Sequence, residues 1–146
     1  MKIVFTIFLT ILVASVFGCG GLKPPDTFRR TLDEPGIWKS INVRESLTKG
    51  VVWKTTVDAI SQKYDLEVID KESGYIRTAW KYIVTSGREN QRYRTRVIIK
   101  FLSDEVLQIK TEANWLEDEG WVIGFDTQTL EDVYGDMQGR IGRVRR

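Results

Sequence analysis

The sequence predicts an α+β domain, a curved antiparallel sheet of about five strands packed on a C-terminal helix, with a second helix after the first strand. Three observations lead there. Apolar and polar residues alternate with period two in several runs between residues 66 and 125, which is the signature of half-buried strands. Two other stretches, 51–64 and 127–141, repeat apolar residues at helical spacing. The strand runs are separated by short turns, so neighbours pair antiparallel. The apolar face of such a sheet needs a cover, and the two amphipathic helices are the elements available to supply it.

Residues 37–44 alternate loosely, with Ile37, Ile41 and Val43 on one side, and read as the first strand. Thr48 is a candidate N-cap for a helix over 51–64, in which Trp53, Val57, Ile60 and Tyr64 form a stripe widened by Val52 and Ala59. Leu66 to Asp70 is a short strand, and Lys71 to Gly74 a hairpin turn, since glycine takes positive φ without a Cβ clash. The clearest strand follows, with Ile76, Thr78, Trp80 and Tyr82 on one face and Tyr75, Arg77, Ala79 and Lys81 on the other. Thr85 to Gln91 is polar and reads as a loop. Arg92 to Phe101 places Tyr93, Thr95, Val97, Ile99 and Phe101 inward, and Val106 to Trp115 does the same with Leu107, Ile109, Thr111, Ala113 and Trp115. Trp121 to Phe125 reads as a short last strand or a packed loop. Asp126 is the expected N-cap of a helix over 127–141, whose stripe is Leu130, Val133, Tyr134, Met137 and Ile141. A sheet curled around a long C-terminal helix is the helix-grip arrangement.

The amino terminus carries an address. Lys2 precedes an almost wholly apolar run from Ile3 to Phe17, about 15 residues, which is short for a membrane span and suits a signal peptide. The run closes in Val16-Phe17-Gly18-Cys19 and resembles the lipobox of bacterial lipoproteins. That resemblance implies cleavage before Cys19, a covalent lipid on Cys19, and anchoring by acyl chains at about 0.8 kcal/mol per buried methylene. An ordinary cleaved signal and an uncleaved anchor are the other readings. Gly20, in place of the aspartate that retains such proteins at the inner membrane, implies the outer membrane. The expected organisation is a signal peptide at 1–18, the acylated Cys19 and a flexible tether at 19–36, a domain at 37–142 and a basic tail at 143–146. The tether, rich in Gly and Pro, reaches about 50 Å at full extension.

Composition narrows the chemistry. The chain has 22 Lys and Arg against 20 Asp and Glu, and loss of Lys2 with the leader leaves it close to neutral, without the basic excess of a nucleic-acid binder. It has no His, which removes the commonest general base and metal ligand together. Its one Cys allows no internal disulfide. Its serines stand in no nucleophile-elbow context. The expectation is a protein that is not an enzyme and holds no cofactor and no metal. The run Glu117-Asp118-Glu119 with Asp104 lacks calcium-ligand spacing and reads as solvated loop.

Gly74-Tyr75-Ile76-Arg77-Thr78-Ala79-Trp80, followed by a polar loop and Arg92-Tyr93-Arg94-Thr95-Arg96-Val97, resembles the BamC/NlpB-type domain. The helix at Val52-Trp53, the strand at Leu66-Glu67-Val68 and the lipobox are similar too, so the resemblance covers about residues 37–142. It implies a lipoprotein on the periplasmic side of the outer membrane, a non-catalytic accessory of the β-barrel assembly machinery with barrel-assembly proteins as partners. The best-known members of that family carry two helix-grip domains, and this chain has room for one.

One cluster of candidate site residues emerges. Arg77, Arg92, Arg94, Arg96, Lys100 and Lys110 share the outward side of the central strands and form a possible partner-binding stripe, suited to an acidic protein or to lipid headgroups. The bland alternative is a solvated face balanced by Glu67 and Glu112 across the strands. A second function is also open, a lipid- or small-ligand-binding helix-grip lipoprotein with an apolar cavity under the C-terminal helix, opened by Gly135 and Gly139.

Overall fold

A computed structural model of the chain describes residues 23–85 and 87–143. The expected signal peptide, the lipidation site Cys19 and the end of the basic tail therefore lie outside the described residues. The described chain forms eight strands and two helices: β1 (Phe28–Arg30), β2 (Lys39–Asn42), α1 (Lys49–Ser61), β3 (Leu66–Asp70), β4 (Tyr75–Thr78), β5 (Lys81–Thr85), β6 (Arg88–Phe101), β7 (Val106–Glu117), β8 (Gly120–Asp126) and α2 (Thr127–Ile141). All strands belong to one open antiparallel sheet, so the class is α+β, with eight strands where about five are expected.

Two long strands form the spine of the sheet. β6 and β7 pair from Tyr93 opposite Trp115 to Phe101 opposite Leu107. Each carries two short strands in tandem along its outer edge. On β6 these are β5, paired from Arg88 to Thr95, and β4, paired from Ile98 to Lys100. On β7 they are β2, paired from Val106 to Ile109, and β8, paired from Ala113 to Glu117. β3 extends the β4 side and β1 the β8 side. The two changes of neighbour fall at one level of the spine, because Arg96 and Val97 lie opposite Glu112 and Thr111.

Both helices cover the same face. Thr48 caps α1, its hydroxyl accepting from the Val51 amide. The helix buries Val52, Thr56, Ala59 and Ile60, while Trp53, Val57 and Tyr64 pack at the margin. Thr56 fits an apolar interior because its hydroxyl donates to the Val52 carbonyl at 2.8 Å. α2 lays Leu130, Val133, Met137 and Ile141 against Ile41, Ile99, Leu107 and Ile109, and all of these are buried. Gly74 has φ +67°, and a Cβ there would stand 2.8 Å from the Phe101 Cβ, so the β3–β4 turn needs glycine on both counts.

A second, smaller core lies at the β8 end, built from Phe28, Tyr93, Ala113 and Trp115. Asp126 organises it. One carboxylate oxygen accepts from the Tyr93 hydroxyl at 2.5 Å and from Thr27 at 2.7 Å, while the other accepts the Thr129 amide at 2.6 Å and caps α2. Burial, reinforced by the Asp126 carboxylate, pushes the Tyr93 hydroxyl far above its ordinary pKa. The buried carboxylate thus meets three hydrogen-bond donors at the N-terminus of α2.

Four expectations need correcting. Phe28, placed in the tether by the sequence, is buried, and its ring meets Tyr93 edge-on at 5.8 Å. Gly124 makes this possible, since a Cβ there would lie 2.1 Å from the Arg29 carbonyl oxygen. The expected loop at 85–91 is largely strand, with Gly87 at φ +76° in a tight hairpin between β5 and β6. The expected single strand 75–82 is interrupted at Ala79 and Trp80, and its side-chain parity flips there. Ile76 and Thr78 are buried under the helices, whereas Tyr82 lies opposite Arg94 on the other face. Ile37 is half exposed rather than inward, and only Ile41 and Val43 of its run are buried.

Candidate functional site: the open sheet face

The face opposite the helices collects the candidate cations. β6 presents Arg94, Arg96, Ile98 and Lys100 in register with Asn114, Glu112, Lys110 and Gln108 of β7, and β4 adds Arg77 opposite Ile98. Alternation along a strand puts every second side chain on one side, so the same period that buries Val97 and Ile99 exposes these cations. Ile98 is nevertheless buried, roofed by the long side chains around it. Arg77, Arg96, Lys100 and Lys110 line a shallow cavity of about 400 Å³ together with Trp38 and Tyr75.

Two carboxylates sit within this set. Arg77 pairs with Glu67 at 2.9 Å, and Arg96 reaches Glu112 at 2.6 Å and Glu67 at 3.8 Å. Lys110 pairs with Glu112 at 3.0 Å. Burial pushes the Glu112 carboxyl up, but hydrogen bonds from Arg96 and Lys110 and their charges outweigh it and hold the group below its ordinary value. The balancing role expected of Glu67 and Glu112 therefore holds for three of the cations. Arg92 stands apart. It donates to the Leu116 carbonyl at 3.0 Å and pairs with Asp118 in the β7–β8 turn at 3.3 Å.

Arg94 and Lys100 have no acidic partner among the described residues. Arg94 is held by aromatic rings instead. Its guanidinium carbon lies 4.2 Å from the centre of the Trp121 ring and 4.7 Å from that of Trp80, and Arg96 lies 4.3 Å from the same Trp80 ring. Lys110 lies over Trp38 at 5.1 Å. The Arg94 Nε is shielded from solvent and finds no hydrogen-bond partner among the described residues. A delocalised, weakly hydrated guanidinium is the cation suited to such stacking.

The three tryptophans are the part of this site that sequence reasoning missed. Trp80 occupies the break between β4 and β5, Trp38 immediately precedes β2, and Trp121 shares the open face through its pairing with Leu116. Sequence reading put Trp80 in the inward file of a continuous strand. The only signal for its true place is the alternation of Arg94 and Arg96 on the neighbouring strand, which supplies two cations for one ring.

Elsewhere the described surface offers less chemistry. Asp104 pairs with Lys49 at 2.8 Å, at the far end of β7 from Glu117, Asp118 and Glu119. No group of three His, Cys, Asp or Glu among the described residues is placed to hold a metal ion. A cavity of about 700 Å³ lies beside α2 and includes Gly135 and Gly139, but Ser40, Asn42, Gln138 and Arg143 share its lining. Beneath α2 the interior is filled by Met137, Ile141, Ile41 and Leu107. No helix among the described residues is long and apolar enough to cross a membrane. Comparison with known proteins adds no relative: no family model matches the chain, and no curated protein matches it in sequence.

Proposed function

We propose that the chain is a lipoprotein anchored through Cys19 to the periplasmic side of the outer membrane, acting as a non-catalytic interaction or assembly module. The proposal takes the fold as a single helix-grip domain similar to the BamC accessory of the β-barrel assembly machinery, with barrel-assembly proteins as partners. The observation that carries the interaction reading is the open sheet face. A sheet side left uncovered by helices and lined with arginine and tryptophan has the composition of a protein-binding surface. The lipobox carries the anchoring part of the reading. Docking of β1 shortens the free tether, because only the stretch from Cys19 to Thr27 separates the lipid from the sheet. At full extension that is about 30 Å, so the domain works close to the bilayer. The alternative, a lipid- or small-ligand-binding lipoprotein, has less behind it, since the cavity beside α2 is rimmed by polar side chains.

The test is a mild-detergent pull-down of the tagged protein from its native membranes, run beside Cys19→Ser. The expected result is membrane recovery of the wild type with β-barrel assembly subunits, and an unacylated, released variant. A Cys19→Ser protein that is acylated and fractionates as the wild type does would refute the anchor. Recovery of the wild type alone would remove the assembly role.

A further inference from the structure

The structure divides the six candidate cations by what they already touch. Arg77, Arg96 and Lys110 share Glu67 and Glu112, and Arg92 has Asp118. Arg94 and Lys100 have no carboxylate among the described residues. They lie six residues apart on β6 and point to the same side, a separation of about 20 Å along a strand. Arg94 is positioned in advance by Trp80 and Trp121, with a buried Nε that lacks an acceptor.

We propose that this face docks an extended acidic polypeptide segment of a partner protein, one carboxylate seated on Arg94 and a second, about six residues away, on Lys100. Charge pattern selects a polypeptide over a lipid surface. A membrane presents anionic headgroups everywhere, and Glu67 and Glu112, interleaved among the cations, would meet some of them with repulsion. A peptide places its charges at discrete positions and can set uncharged residues above those two glutamates. A guanidinium already fixed by two rings loses little rotamer freedom on accepting a carboxylate. The tryptophan edges beside it and the depression lined by Trp38 and Tyr75 offer apolar contact to the side chains between the two acids. This inference rests on the reading of the chain as an interaction module, and it adds the chemistry of the partner.

The test uses the full chain in zwitterionic micelles and follows the indole N–H resonances of Trp80 and Trp121 by NMR. The probe is a soluble Gly/Ser peptide carrying two glutamates six residues apart. Binding is expected on the order of 100 μM, with the Trp80 and Trp121 signals shifting. A peptide with glutamine at both positions should bind about tenfold more weakly. Arg94→Gln, with its fold verified by circular dichroism, should show the same loss toward the glutamate peptide. No binding, equal binding of the two peptides, or shifts caused only by the short-chain lipid dihexanoylphosphatidylglycerol would each overturn the proposal. Acylation at Cys19 is read separately, so failure of this docking site leaves the anchoring result standing.

Discussion

The two faces of β6 obey the same alternation and end in opposite chemistry. On the helix side Tyr93, Thr95, Val97 and Ile99 are almost fully buried, and the Tyr93 hydroxyl is paired with Asp126. On the other side Arg94, Arg96 and Lys100 stand among tryptophans, with fewer carboxylates than cations. The helix side is filled by apolar contact, and the buried hydroxyls of Thr56, Tyr93 and Thr111 find partners within the fold. On the open side Arg94 is held between two rings, and its shielded Nε meets no acceptor among the described residues, nor does the Arg44 Nε beside the end of α2. A surface that had only to stay soluble would leave its cations in water, where they need no partner. Fixing one between two rings is a form of pre-organisation, and the docking proposal is placed on the open face for that reason.

Substitutions can break that contrast or sharpen it. The largest effect is expected from Met137→Ala, which would open a cavity where α2 meets the sheet and cost about 3 kcal/mol. A urea midpoint close to wild type would mean that the helix side is not the rigid one. Trp80→Ala should cost only about 1 kcal/mol, the scale of two partly exposed cation–π contacts. A loss as large as that of Met137→Ala would make the open face part of the core and erase the distinction. The smallest effect concerns acid. The folded-state pKa of Glu112 lies below its ordinary value of 4.5, so its stabilisation is fully present above that value and is lost as pH falls through the lowered one. Glu112→Gln should therefore lower stability by about 0.5–1 kcal/mol at pH 7, and the difference should shrink progressively as pH falls below 4.5. An unfolding curve whose pH dependence is the same in both proteins would show that the Arg96–Glu112 pair contributes nothing.

The helix side was legible in the sequence because burial writes periodicity. Asp126 as a cap, α2 over 127–141, β3 over 66–70 and the inward file of β7 all follow from apolar spacing and turn chemistry. The unread parts are those where no apolar face exists to write it. Arg88, Glu89 and Gln91 extend β6 past the edge of the core into solvent, so their strand looks like a loop. β1 is three residues long, and a single buried Phe28 has no period. The break at Ala79 and Trp80 arises because β4 and β5 pair with different stretches of β6, a fact of tertiary register that local alternation cannot contain. The basic stripe was visible as a set of residues. Its division into paired and unpaired cations depended on which carboxylates and rings came within reach.

The docking of β1 has a mechanical side. If the amino terminus is held by a membrane and the open face by a partner, tension between the two enters the domain through Phe28, where three residues pair with β8. That ladder is short, lies at the margin of the sheet and is fastened by the Phe28 ring, the Thr27 contacts to Asp126 and Thr127, and the Arg30–Glu117 pair. It would peel before the spine does. Release of residues 28–36 would lengthen the leash by about 30 Å while α2 and the β6–β7 pair stayed folded. The first strand then behaves as a latch on a retractable cord, short at rest and longer under pull.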